Sequence, residues 1–249
     1  MVAIPKPAQH CPTLELVERN IEETHYAFPP RDYLGMSAIG DACERKLWYS
    51  YHDPVREWHD AATIMRFEDG HRSEDLMAQR LKATPGIELH THDENGNQFA
   101  FEDFDGKFRG HADGFILGLV QAPKTWHIWE AKCTNLKKFA HFKNLKAELG
   151  EKAVLKVWDQ VYYAQAQSYM GYSELNRHYL TVCTPGGRDW EAVRTEFNKD
   201  DFAAIQDRAK RILNAKVPLA KISNDPNWFQ CKFCAHKDKC HAGITALSA

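Results

Sequence analysis

Residues 110–132 read GHADGFILGLVQAPKTWHIWEAK. Two apolar, strand-like runs flank Gln121-Ala122-Pro123-Lys124, whose residue types make a turn, so the stretch predicts a two-stranded hairpin. Asp113 lies in the first run; Glu130 and Lys132 lie in the second. Side chains two apart in a strand share a face. Glu130 and Lys132 therefore point one way with Trp126 and Ile128, while His127, Trp129 and Cys133 point the other. With Asp113 opposite, its carboxylate converges on that of Glu130. Converging anions in an apolar hairpin require positive charge between them. A divalent cation such as Mg2+ supplies it, since it takes one or two carboxylates together with water and phosphate. An isolated E-x-K pattern is commonly a solvated strand face; the glycine-flanked Asp113 upstream raises this one above that background.

Composition narrows the class. The chain has 249 residues, 43% of them hydrophobic and 12% aromatic, enough for a substantial core in one domain. The net charge of −2 advertises no global basic field, so a nucleic-acid protein of this balance needs a local basic patch. No apolar run approaches membrane-spanning length, and the start, MVAIPKPAQHCP, lacks a signal-peptide core. The expectation is a cytoplasmic protein without disulfides, whose seven cysteines then call for another account, metal binding being the usual one.

Residues 1–12 read as a loose arm. A helical pattern over 13–28 runs through Leu14, Leu16, Val17, Ile21 and Tyr26 and stops at Pro29-Pro30. In MSAIGDACERKLWYSYHDP, residues 36–54, Asp41 is placed to cap a short helix carrying Cys43. Residues 56–81 predict a long helix in which His71 and Glu74, three apart, reach one place. Gly70, costly in a helix, suggests close packing there. Short strands are expected over 87–92 and 98–102, around a turn at Asp93-Glu94-Asn95-Gly96. His111, near Asp113, rivals His71 as a metal ligand.

Beyond the hairpin the chain turns helical and lysine-rich, with Lys137, Lys138, Lys143, Lys146, Lys152 and Lys156. A solvated face is the ordinary account of such a run; next to the hairpin it could also receive phosphate. The helix WDQVYYAQAQSYMGY, residues 158–172, puts Gln165 and Tyr169 on one face, where they can hydrogen-bond phosphate or water. Strands over 178–183 and 190–197 and a helix over 200–216 follow.

The tail NWFQCKFCAHKDKCHAG holds Cys231, Cys234 and Cys240 as C-x2-C-x5-C, a metal or cluster pattern. A fourth ligand is open between His236 or His241, which suit zinc, and the distant Cys43, which suits an iron–sulfur cluster.

Taken together, these motifs resemble the iron–sulfur group of the RecB-like branch of PD-(D/E)xK nucleases, which includes CRISPR-associated cluster-containing exonucleases and the AddB nuclease domain. The matching residues are Cys43 followed by Arg45-Lys46 and Trp48-Tyr49; Gly70-His71 with Glu74; Gly110-His111-Ala112-Asp113; Glu130-Ala131-Lys132; Gln165 with Tyr169; and the three tail cysteines. They fall in family order across residues 36–241. Residues 162–172 also look like the corresponding helix of phage lambda-type exonucleases. Ala112 stands where the family often has Pro, and Cys133, just after Lys132, has no counterpart in the pattern.

The resemblance implies an α/β fold: a restriction-endonuclease-like core with a central mixed sheet flanked by helices, N-terminal helices and a cysteine-rich tail. It implies one nuclease domain: an arm and helix over 1–35, a helical region over 36–83, the core over 84–222 and the tail over 223–249. The implied activity is a Mg2+- or Mn2+-dependent DNA exonuclease acting in recombination, repair or phage DNA processing, in a bacterial or phage-infected cell. Asp113 and Glu130 would hold the ion with His71 and the Ala131 carbonyl, Lys132 would act on the water or the developing charge, and Gln165 and Tyr169 would position the strand. Cys43, Cys231, Cys234 and Cys240 would hold a structural [4Fe–4S] cluster, with Zn2+ as the alternative. The implied partners are DNA, single-stranded or with free ends, and a protein of recombination or CRISPR-like machinery, with no membrane. Two other classes stay open: a noncatalytic DNA-binding module or partner-dependent nuclease subunit, and a hydrolase of small phosphorylated substrates, against which the lysine run argues.

Overall fold

The computed structural model describes residues 11–25, 31–56 and 58–242. The N-terminal arm up to residue 10, and Tyr26 to Pro30 at the expected end of the first helix, lie outside them.

The chain opens with α1 (Pro12–His25), a two-residue strand β1 (Leu34–Gly35) and a 3-10 turn, Met36–Ala38. Next come α2 (Glu44–His52) and the long α3 (Ala61–Lys82). The α3 helix starts later than its periodicity suggests because Asp60 caps it, accepting from Thr63 N at 2.8 Å. Four strands follow: β2 (Glu88–His90), β3 (Phe99–Asp103), β4 (Phe108–Ala112) and β5 (Gly114–Leu117). Then come β6 (His127–Cys133), α4 (Leu136–Leu149), α5 (Val154–Trp158) and α6 (Gln160–Ser173). The core closes with β7 (Arg177–Cys183), β8 (Trp190–Glu196) and α7 (Lys199–Asn214), and the tail forms α8 (Phe229–Lys232) and α9 (Lys237–His241).

The fold is α/β with two mixed sheets. The larger runs β2-β5-β6-β7-β8, with only β6 and β7 parallel; the smaller runs β1-β4-β3. The strands on either side of Asn95-Gly96 do not pair with each other. Instead β2 joins β5 and β3 joins β4, so that turn links two sheets. The predicted hairpin is present as β5 and β6. Gly114 faces Trp129 in register, which leaves Asp113 opposite Glu130.

The period of two along β6 divides the core as the sequence predicts. Ile128 packs with Leu180, Val182 and Val193 in the larger cluster, under α4 to α6. Trp129 and Ala131 pack with Met77 of α3, Leu89 and Ile116 on the other face. Each fully buried large side chain of this kind contributes about 1.5–3 kcal/mol. Gly70 does not mark close packing: a Cβ there would meet nothing within 4 Å. Gly110 does, because its Cβ would stand 2.6 Å from the Tyr169 ring and 2.8 Å from Met36. No helix among the described residues is long and apolar enough to cross a membrane.

Candidate active site and cysteine corner

Asp113 sits at the break between β4 and β5, and backbone amides lock it to β6. Ala131 N donates to Asp113 Oδ2 at 2.9 Å, and Asp113 N donates to Glu130 Oε1 at 3.3 Å. The two carboxylates therefore converge, as the hairpin register requires. Lys132 lies between them, with Nζ 3.0 Å from Glu130 Oε2, 3.6 Å from Asp113 Oδ2 and 2.8 Å from the Ala131 carbonyl oxygen. From α6, Gln165 Nε2 donates to Glu130 Oε2 at 3.1 Å and to the Tyr169 hydroxyl at 3.2 Å. The structure thus brings Asp113, Glu130, Lys132, Gln165 and Tyr169 together.

The electrostatics follow from burial. Glu130 is 2% exposed, and burial, reinforced by the charge of Asp113, pushes its carboxyl up to about 8. Burial opposes the charge on Lys132, but Glu130, Asp113 and Glu74 outweigh it and hold the ammonium well above its ordinary range. Burial raises the Tyr169 hydroxyl as well.

Glu74 belongs to this group although the sequence marked it only as a neighbour of His71. Burial pushes its carboxyl up to about 7, Lys132 pulls the other way, and Asp113 adds to the rise. The i, i+3 spacing could have nominated it; what singles it out is that α3 presses it against the sheet. His71 is exposed and borders a cavity of about 460 Å3 shared with Glu74, Asp75, Asp113 and Trp129. His111 lies on the exposed side of β4 and does not line that cavity. Tyr162 of α6 is a second residue the sequence left unassigned: its ring centroid is 5.6 Å from Lys132 Nζ and 5.0 Å from Lys138 Nζ.

The lysine run is largely engaged elsewhere. Lys138 pairs with Asp159, Lys146 with Glu191, Lys152 with Glu196 and Lys156 with Asp201. These pairs pin α4 and α5 to their surroundings, so the run is mainly a solvated, ion-paired face.

Beyond the start of α6, Cys43, Cys231, Cys234 and Cys240 line one cavity of about 570 Å3 together with Gln160 and Val161. Cys43, rather than Asp41, holds the N-cap position of α2, without a side-chain capping bond, and its amide donates to Asp41 Oδ1 at 2.8 Å; the tail folds back onto that helix. The His236 ring stacks on Tyr49 at 5.3 Å and its Nε2 lies 3.3 Å from Ser50 Oγ. Burial raises the Cys231 thiol, with Cys43 and Cys240 adding to the rise. Arg45 donates to the Leu219 carbonyl and Trp48 Nε1 to that of Ala215 at 2.8 Å. Among the described residues no three His, Cys, Asp or Glu side chains form a ready metal-binding group. The cysteines share a cavity rather than a point, and at the hairpin the two carboxylates and the Ala131 carbonyl oxygen all meet Lys132 Nζ.

No family model matches the sequence, and comparison with curated proteins found no match. Solved structures do match. The crystal structure of an alkaline exonuclease from Laribacter hongkongensis is 14% identical, with a TM-score of 0.50 over 78% of this chain and 90% of that one. The structure of the same exonuclease in complex with dAMP is 16% identical, with a TM-score of 0.49 over 73% and 86%. A phage-related exonuclease from Haemophilus somnus 129PT is 15% identical, with a TM-score of 0.42 over 59% and 68%. At such identities likeness speaks of architecture alone: this chain shares the α/β fold of the Laribacter hongkongensis alkaline exonuclease.

Proposed function

We propose that this protein is a metal-dependent DNA nuclease of the exonuclease kind, hydrolysing phosphodiester bonds at the β5–β6 hairpin. One observation carries the reading: Asp113 and Glu130 converge on Lys132 beside the half-buried Glu74, on a fold shared with an alkaline exonuclease.

The donor set fits a hard divalent cation, Mg2+ or Mn2+. Asp113, Glu130 and the Ala131 carbonyl would hold it, with His71 or Glu74 at the α3 side. Burial and the charge of Asp113 raise the Glu130 carboxyl, and a bound cation would favour its ionised form. When bound, the ion supplies a more acidic water and positive charge for the phosphate. The protein's own groups do the rest. Lys132, kept cationic, orients the attacking water and offsets the negative charge that builds on the phosphate. Gln165 fixes one oxygen of Glu130 and the Asp113 amide the other, so the carboxylate cannot swing away. Tyr169, packed against Gly110, holds Gln165 in turn.

The substrate in this reading is DNA with a free end or single-stranded. The soft donors of Cys43, Cys231, Cys234 and Cys240 fit an iron–sulfur cluster, [4Fe–4S] being the form proposed, with Zn2+ as the alternative; either would tie α2 to the tail. Iron, sulfide and zinc analysis of anoxically purified protein decides between them.

The decisive experiment is degradation of end-labelled linear DNA, single- and double-stranded, with Mg2+ or Mn2+ against EDTA, beside Glu130→Gln and Lys132→Ala. Metal-dependent cleavage lost in both variants is the expected result. A folded wild-type protein that leaves both substrates intact with either metal would overturn the reading.

A further inference from the structure

Cys133 and Cys183 have no part in the site or in the cysteine corner, yet Cys133 directly follows Lys132 and Cys183 is its partner across the sheet. They end the central parallel pair β6 and β7 in direct register. Register partners in a parallel ladder project to the same face, and adjacent strands lie about 4.8 Å apart. That falls inside the Cα separation a disulfide spans, about 4.4–6.8 Å. The two thiols interact, and both are free. Cys183 is buried against α3, and Cys133 is partly open to solvent. One sulfur is thus reachable and the other lies behind it.

We propose that Cys133 and Cys183 form a reversible oxidation site whose disulfide switches off the adjacent hairpin site. The reaction takes a hydroperoxide as oxidant. The Cys133 sulfur attacks the outer peroxide oxygen, the O–O bond breaks, and the departing oxygen takes up the thiol proton. This leaves a sulfenic acid on Cys133. The Cys183 sulfur then attacks the Cys133 sulfur, the S–O bond breaks, and the hydroxide leaves as water with the Cys183 proton. With hydrogen peroxide the balance is two thiols and one peroxide to one disulfide and two waters.

The consequence for activity rests on the nuclease reading; the bond itself does not. A disulfide holds its two Cβ atoms about 3.5–4.5 Å apart, whereas parallel register partners start about 4.8 Å apart, so closing the bond draws the end of β6 towards β7. That moves the peptide carrying Lys132 and the Ala131 carbonyl, and displacements on the order of 1 Å at a reacting centre cost about 100-fold in rate.

The test treats full-length, metal-loaded protein with hydrogen peroxide, blocks remaining thiols and maps linked peptides by mass. Cys133→Ser and Cys183→Ala run alongside; both keep Cys43 and the three tail cysteines, so oxidation there affects all three proteins alike. The expected result is a peptide linked through Cys133 and Cys183 in wild type only, cleared by dithiothreitol. DNA cleavage should fall at least tenfold with it and return on reduction, while Cys133→Ser resists. The pair is refuted if peroxide consumes other thiols without forming this link. The switch is refuted if the link forms and cleavage is unchanged, or if Cys133→Ser loses activity equally. Because the link is read by mass whether or not the chain cleaves DNA, failure of the cysteine pair and failure of the nuclease reading are distinguishable.

Discussion

The hairpin site and the cysteine corner both gather residues from distant parts of the chain, but by different means. At the hairpin, backbone amides of β5 and β6 hold the carboxylates, Gln165 reaches in from α6, and Glu130 is 2% exposed. The sheet and α6 complete this site together, without α8 or α9. At the corner, α8 and α9 are helices of four and five residues, too short to stand alone. Side-chain contacts with α2 hold them, including a mostly exposed Lys239–Asp53 pair, while Phe229 and Phe233 remain in solvent. Surface pairs of that kind add little, about 0–1 kcal/mol. The hairpin site is fixed by the core of the fold, whereas the corner rests on contacts between short helices.

The contrast breaks most sharply at Cys240. If the four cysteines hold a structural cluster or zinc, Cys240→Ala should cost more than about 4 kcal/mol of stability, as lost metal ligands do. Trypsin should then cut rapidly at Lys232, Lys237 and Lys239. A Cys240→Ala protein with wild-type melting and protease resistance would remove the metal from the corner.

Glu130→Gln makes the complementary case. The amide keeps the shape of the side chain, but both Glu130 oxygens accept hydrogen bonds, so its NH2 must face the Asp113 amide or Lys132 and Gln165, and the melting temperature should fall by a few degrees while the fold survives. Cleavage should fall about 100- to 1,000-fold, the scale for removing one group that stabilises the transition state. Loss of fold together with loss of cleavage would mean that the hairpin carboxylates serve structure first.

A third prediction concerns the sheet beneath the site. His178 of β7 is buried with neither ring nitrogen hydrogen-bonded, and burial pushes it down to about 3. The unfolded chain therefore takes up a proton between about pH 6.5 and 3 that the folded chain refuses. This contribution to stability is intact above pH 6.5 and is lost on acidification, at up to about 1.4 kcal/mol per pH unit. Urea unfolding from pH 7 to pH 4 measures the slope. In His178→Gln it should flatten by up to that amount; an unchanged acid limb would place the acid sensitivity in other groups.

The reach of the sequence follows the same division. Asp113, Glu130 and Lys132 were legible because a strand's period of two and a turn fix their faces with local information. Gln165 and Tyr169 were legible for the same reason on a helix. Glu74 was visible only as the neighbour of His71, since its role depends on α3 lying against the sheet. The partners of Lys138, Lys146, Lys152 and Lys156 sit 21 to 45 positions away, which no local pattern reports. The helix α5 escaped because five residues carry too little periodicity, and the two tail helices for the same reason. The strands around Asn95-Gly96 looked like a hairpin because turn chemistry was right, but their edges pair with β5 and β4 across the chain.

The smallest effect is the most discriminating. Tyr169 is 1% exposed, its ring fills the space that Gly110 leaves open, and its hydroxyl accepts from Gln165 at 3.2 Å. Tyr169→Phe keeps the ring and deletes one hydrogen bond, worth about 0.5–1.5 kcal/mol. Gln165 retains its bond to Glu130, so the carboxylate stays in place and cleavage should fall only a few fold, with a small drop in melting temperature. The comparison with Gly110→Ala sharpens the point. There the added carbon meets the same ring, and overpacking should cost about 1–3 kcal/mol while the hydroxyl remains. If the hairpin site is held by its sheet, the alanine variant loses more stability and the phenylalanine variant little of either. A loss of 100-fold or more in Tyr169→Phe, with stability intact, would instead put the hydroxyl on the DNA itself.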